Sequence, residues 1–223
     1  MKNQFTRPKL QIALDTFDLP FTLGPLQKAV DHIDVIEVGT ILCLSEGMHA
    51  VRIIRSLYPQ KTILADVRIA EAGSVISKLA FDAGADWVSV VSGAAPSSFE
   101  VVLQEAKSRG GDMQIELSDG WTWEKVQQWA DLGAGQIIVK RSRDLEAQGQ
   151  LTWSNSDFET IQRLHDMGYK VTVTGGVKPK DIALFKDVPV YIFIAGRAIV
   201  QADDPAAAAQ EFQQAIVETF GES

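Results

Sequence analysis

The chain has 223 residues, 46% of them hydrophobic and 22% charged, which is the composition of an ordinary globular protein and not of a fibrous or low-complexity one. Its net charge of −8 excludes the broadly cationic surface that holds nucleic acid or anionic membranes, so an anionic ligand needs a local cationic site. The single cysteine, Cys43, excludes an intrachain disulfide and fits a reducing compartment, where it reads as a small buried apolar residue.

No apolar run follows MKNQFTRPK, and no stretch approaches the roughly 18 uncharged apolar residues of a membrane span, so a cytoplasmic protein is expected. Short β-branched runs then recur at even spacing. In chain order they are LQIALD (10–15), DVIEVG (34–39), TILADV (62–67), WVSVVS (87–92), MQIELS (113–118), QIIVKR (136–141), KVTVTGG (170–176) and VYIFIAG (190–196). Between them the apolar residues take a helical period: Val51, Ile54, Arg55 and Tyr58 fall at i, i+3, i+4 and i+7, and Ile161, Leu164 and His165 repeat the pattern. Glycines in GAD (84–86) and GAGQ (133–136) stand where helices hand over to strands, as left-handed C-caps require. Thr122 can cap the helix that carries Trp121, Trp123 and Trp129, residues read here as packing groups. The tail DDPAAAAQEFQQAIVETF reads as a closing helix with proline in its first turn.

Eight strand–helix units imply parallel βαβ connections, and in a chain of this length they predict a single (β/α)8 TIM barrel over residues 1–223. The competing open doubly wound sheet lacks its G-x-G-x-x-G after the first strand.

A barrel places its active site at the C-terminal ends of the strands. Most of the predicted strands end in polar residues: Asp15, Glu37, Asp66 with Arg68, Glu116, Lys140-Arg141-Ser142-Arg143, Thr174-Gly175-Gly176 and Gly196-Arg197. Alternation along a strand points Asp66 and Arg68 together into the barrel mouth. Four carboxylates gathered there cost several kcal/mol, on the order of the penalty for unpaired buried ions, unless cations sit among them. Arg68, Lys140 and Arg143 can provide part of that compensation and a divalent metal the rest. Carboxylate oxygens favour a hard ion such as Mg²⁺ over zinc. His32, His49 and His165 lie on helical segments without metal-site spacing and are set aside. The glycine loops TVTGGV (172–177) and IAGRAI (194–199) follow the seventh and eighth strands, where barrels commonly seat a phosphate; Gly176 and Gly196 admit the anion to the backbone and Arg197 adds a charged fork.

With these residues in view, the chain resembles the 3-keto-L-gulonate-6-phosphate decarboxylases of the orotidine monophosphate decarboxylase superfamily. The resemblance covers nearly the whole chain through LQIALD, DVIEVGTILCLSEGMHAVR, ADVRIAEAG, ELSDGWTWEKVQQW, KRSRDLEAQG, MGYKVTVTGGV and FIAGRAI. The family's D-x-K-x-x-D marker stands here as Asp66-Val67-Arg68-Ile69-Ala70-Glu71, with spacing and charge signs kept and two identities changed. The resemblance implies that Glu37 and Asp66 ligate Mg²⁺, that Asp15, Glu116, Thr174 and Gly175 line the sugar site, and that Gly176, Gly196 and Arg197 hold the phosphate. It implies a homodimer with shared sites, with Glu71 reaching the neighbouring subunit; the acidic charge and the lack of a long apolar run leave no nucleic-acid or membrane partner expected.

The implied reaction is decarboxylation of a 3-keto sugar-acid phosphate through an enediolate, in L-ascorbate or sugar-acid catabolism. Asp66, Arg68, Glu71, Lys140 and Arg143 would carry the catalysis. Arginine at position 68 keeps the charge but is not a practical proton donor. Lys140 stands where the resemblance places a histidine, so proton delivery is expected from a lysine whose pKa is lowered by Arg141 or Arg143, or from a water held by Arg143. Two alternatives stay open: a hexulose-phosphate synthase-like aldolase that handles formaldehyde, and a phosphosugar-binding homologue without turnover.

Overall fold

The structure, a computed structural model, describes residues 7–141 and 153–221. Eight parallel strands close into a barrel in sequence order: β1 (Lys9–Leu14), β2 (Val35–Val38), β3 (Thr62–Ile69), β4 (Trp87–Val91), β5 (Asp112–Glu116), β6 (Gln136–Lys140), β7 (Lys170–Thr174) and β8 (Ile192–Ala195), which returns to pair with β1. Each strand falls within or beside the run of β-branched residues that predicts it. The barrel is wrapped by α1 (Leu19–Ala29), α2 (Thr40–Glu46), α3 (Met48–Leu57), α4 (Gly73–Asp82), α5 (Pro96–Ser108), α6 (Trp123–Asp131), α7 (Asn155–Asp166), a 3₁₀ segment (Pro179–Phe185), α8 (Arg197–Val200) and α9 (Pro205–Phe220). Among the described residues no helix is long and apolar enough to cross a membrane.

Alternation along the strands divides the apolar core in two. Outward-facing Ile12, Leu14, Ile36, Val38, Ile63 and Val88 pack against Val51, Ile54, Val102, Val126, Leu164 and Phe212 of the helices. Ala13, Val35, Ile138, Ile192 and Ile194 form a smaller cluster inside the barrel. Each fully buried aliphatic side chain is worth about 1.5–3 kcal/mol over its exposed state, so the outer shell supplies most of the stability and the inner cluster fills the lumen.

The local signals act as their chemistry predicts. Gly84 and Gly133 take φ of 103° and 84° after α4 and α6. Thr122 accepts from the Lys125 amide at 3.3 Å, and Asp204 accepts from Ala206 at 3.0 Å ahead of Pro205. Trp129 is buried against Phe99, and Trp123 lies edge-on to Trp121 with the Arg163 guanidinium 3.8 Å from its ring centre. These tryptophans hold helices in place.

One irregularity bears directly on the site. Ala65 pairs with Val88 and Ile69 with Val90, so Asp66, Val67 and Arg68 stand opposite Ser89 alone. The bulge puts Arg68 at φ 46° and is followed by Ala72 at φ 53°, both left-handed without being glycine. Such conformations cost of order 1–3 kcal/mol and persist only where the surroundings hold them.

Candidate active site

The C-terminal ends of the strands surround a cavity of about 610 Å³. Asp15, Glu37, Asp66, Arg68, Glu116 and Lys140 line it, together with Thr174, Gly175, Gly176, Gly196 and Arg197. The sequence-predicted residues are thus brought together with two exceptions. Glu71 is exposed just beyond β3 and does not line this cavity. Arg143 lies outside the described residues, as does Ser142 beside it.

The charges are arranged unevenly. Arg68 and Lys140 both reach Glu116: an Nη of Arg68 donates to Glu116 Oε1, and Lys140 Nζ approaches the same oxygen at 3.0 Å. Glu37 and Asp66 form no ion pair with the described residues. Burial, then the nearby Asp66 and Asp15 charges, hold the Glu37 carboxyl well above its ordinary range; the Gln11 amide, which donates to Oε2 at 2.6 Å, opposes them. Burial likewise raises Asp66, partly opposed by hydrogen bonds from Ser89 and Thr40. The Cys43 thiol behind them is pushed up to about 12, chiefly by burial, so it stays protonated and packs as an apolar group.

Three polar residues that the sequence does not single out set this geometry. Ser89 Oγ donates to Asp66 Oδ1 at 2.6 Å and accepts the Arg68 backbone N–H at 2.9 Å, so it occupies the gap that the bulge opens. Thr40, at the start of α2, donates to Asp66 Oδ2. Gln11 serves Glu37. A lone serine in WVSVV and a glutamine in LQIALD are polar residues at inward positions of apolar strands, and that was the available signal.

Lys140 and Arg141 take different partners at the end of β6. The lysine's partner is the Glu116 carboxylate, while the Arg141 guanidinium turns to the Gly175 carbonyl at 2.8 Å and lies 4.2 Å from the centre of the Trp153 ring. Arg141 therefore clamps the β7 glycine loop. Gly175 sits at φ 105°, and a Cβ there would lie 2.7 Å from Arg141 O; only glycine suits the position.

Whether the site fits a metal follows from the same unevenness. Two buried carboxylates form no ion pair with the described residues, their donors are all oxygen, and both open on the cavity. Among the described residues no three His, Cys, Asp or Glu side chains gather to cage an ion by themselves. A pair of carboxylates suits Mg²⁺, which keeps several waters and rarely uses an all-protein cage. The residues fit that ion.

The comparisons with known proteins bear on this site as a whole. The family model of the orotidine 5'-phosphate decarboxylase / HUMPS family matches residues 8–212. The chain belongs to that family. It is 47% identical to the 3-keto-L-gulonate-6-phosphate decarboxylase UlaD of Escherichia coli over 96% of this chain and 99% of that one. Its fold superposes with a TM-score of 0.94 on a ligand-bound KGPDC from Streptococcus mutans, at 36% identity over 97% and 100% of the two chains. The 3-hexulose-6-phosphate synthase of Salmonella typhimurium is more distant, with a TM-score of 0.87 and 30% identity over 95% and 99%. This member of the family is a carbon–carbon lyase of the carboxy-lyase type.

Proposed function

We propose that the protein decarboxylates 3-keto-L-gulonate 6-phosphate to L-xylulose 5-phosphate and CO₂, in L-ascorbate or sugar-acid catabolism, with Mg²⁺ bound by Glu37 and Asp66. The observation that carries the reading is the cation pair Arg68 and Lys140 on Glu116, in one cavity with Glu37 and Asp66, two buried carboxylates that form no ion pair with the described residues. The ranking of relatives supports it over the aldolase alternative, because the decarboxylases match at higher identity than the synthase.

The glycine loop at Gly175 and Gly176, with Gly196 and Arg197, takes the phosphate and fixes one end of the substrate. Asp15, Glu116 and Thr174 orient the sugar hydroxyls. Loss of CO₂ beside a ketone leaves an enediolate, whose negative charge meets the Arg68 guanidinium. A bound Mg²⁺ supplies further electrostatic stabilisation of charge on the substrate oxygens. Lys140, beside Arg68 on the Glu116 carboxylate, is the lysine assigned to hand a proton to the enediolate carbon and regain one from solvent. Arg68 with Glu71 preserves the charge signs of the family's Lys–Asp pair. The exposed Glu71 then serves the neighbouring subunit of a homodimer, and the protein works in the cytoplasm.

The test is product analysis on 3-keto-L-gulonate 6-phosphate. CO₂ with equimolar pentulose phosphate supports the reading. Formaldehyde exchange on a hexulose phosphate would assign the synthase chemistry instead, and saturable binding without product would leave a phosphosugar-binding protein.

A further inference from the structure

Below the cavity the barrel lumen is not wholly apolar. Gln11 of β1, Gln114 of β5 and Thr172 of β7 are fully buried. Strand pairing sets Gln11 beside Val35 and Ile194, Gln114 beside Ser89 and Gln136, and Thr172 beside Ile138 and Ile192. With the stagger of about one residue per strand that closes an eight-stranded barrel, these three and Leu64 of β3 make one inward layer. Glu37, Ser89, Ile138 and Ile194 form the next layer up. Ala13, Asp66, Glu116 and Thr174 form the one that opens on the cavity.

Each of the three polar residues keeps one buried oxygen without a partner: Gln11 Oε1, Gln114 Oε1 and Thr172 Oγ1. The amide nitrogens of the two glutamines are engaged. Gln11 Nε2 donates to Glu37 Oε2 at 2.6 Å, and Gln114 Nε2 donates to Gln136 Oε1 at 3.0 Å. Gln136 Nε2 continues to Asp112 Oδ2 at 2.6 Å. A buried oxygen left this way has given up water for nothing, and few native groups do so. Three in one layer share a complementary need: two carbonyl oxygens that accept and one hydroxyl that can donate. One water molecule meets it by donating twice and accepting once.

We propose that an ordered water sits on the barrel axis in this layer, donating to Gln11 Oε1 and Gln114 Oε1 and accepting from the Thr172 hydroxyl. Its effect is on Glu37. A carboxamide can present either end, and the water fixes the oxygen of Gln11 downwards, which leaves the NH₂ for Glu37. Gln11 is thereby a positioning residue. The water joins Glu37 through Gln11, Gln114 and Gln136 to Asp112 at the opposite mouth of the barrel. This inference stands on the lumen alone and is independent of the proposed reaction.

High-resolution crystal structures of the unmodified protein, Thr172→Val and Thr172→Ser test it. The expected result is a water within hydrogen-bond distance of all three oxygens in the unmodified protein and in Thr172→Ser. In Thr172→Val the water is weakened or lost, and Gln11 populates a second orientation. Direct contacts among the three side chains with no density between them would overturn the proposal. So would a Thr172→Val structure with the water at full occupancy and Gln11 unchanged. If Thr172→Val does not fold, the density in the unmodified protein decides alone.

Discussion

The hydroxyl of Ser89 accepts the backbone N–H of Arg68 at 2.9 Å, at the one place where the β3–β4 ladder loses its register. The same hydroxyl donates to Asp66, so one buried oxygen holds both a strained backbone and a site carboxylate. Ser89→Ala leaves the Arg68 amide and Asp66 Oδ1 short of a partner. It should lower stability by about 1–3 kcal/mol in urea unfolding. It should also reduce kcat/KM by about tenfold or more, since about 1.36 kcal/mol of lost transition-state stabilisation is a factor of ten.

Glu116 receives two cations on one oxygen, and the two should fail differently. Arg68→Met removes the positive charge that meets the enediolate, with an expected loss of roughly 10²–10³-fold in kcat. Lys140→Met removes the assigned proton donor, with an expected loss of roughly 10²–10⁴-fold and a smaller change in KM. Steady-state kinetics on the two variants checks this. Unchanged kcat in Lys140→Met would move proton delivery to another group.

Gly175 meets the Arg141 backbone so closely that no side chain fits without displacing the loop. Gly175→Ala adds a left-handed strain to that clash and should cost about 1–3 kcal/mol of stability. Because the loop takes the phosphate in the proposed mechanism, KM should rise more than kcat falls. A larger effect on kcat than on KM would place the phosphate elsewhere.

The buried carboxyls of Glu37 and Asp66 lie above their ordinary values of 4.5 and 3.8. Between the ordinary and the raised values the folded chain binds more protons than the unfolded one. Stability of the metal-free protein therefore falls as pH rises through that window, and the contribution is gone above it. Thermal melts over a pH series rising from the ordinary carboxylate range should show this slope, and Glu37→Gln should flatten it. Mg²⁺ should raise the melting temperature more as pH increases, because ionisation of the two carboxyls favours the cation.

Much of this was legible in the residues. The eight strands announce themselves because β-branched runs of 4–8 residues sit between glycine and proline punctuation, and the barrel then follows from their number. Asp15, Glu37, Asp66, Glu116 and Lys140 were legible as site residues because a barrel sends strand ends to one mouth. What each of them touches was not. Glu116 finds Arg68 from 48 residues away and Lys140 from 24, and no local pattern encodes such pairings. Lys140 was read beside the arginines that follow it in sequence, yet the strand end turns Arg141 to Gly175 and the lysine to a carboxylate. The left-handed Arg68 and Ala72 carry no glycine to mark them. Ser89, Thr40 and Gln11 look like ordinary polar residues until the barrel closes around them.

In the proposed mechanism Arg68, held on Glu116, does what the family's motif lysine does. The most direct measurement is CO₂ release from 3-keto-L-gulonate 6-phosphate by the unmodified protein and by Arg68→Met, each with Mg²⁺ and then with chelator. Metal-dependent release by the unmodified protein is predicted, with a loss of roughly 10²–10³-fold in Arg68→Met at full metal. Equal rates in the two proteins, or release that chelation leaves untouched, would contradict it.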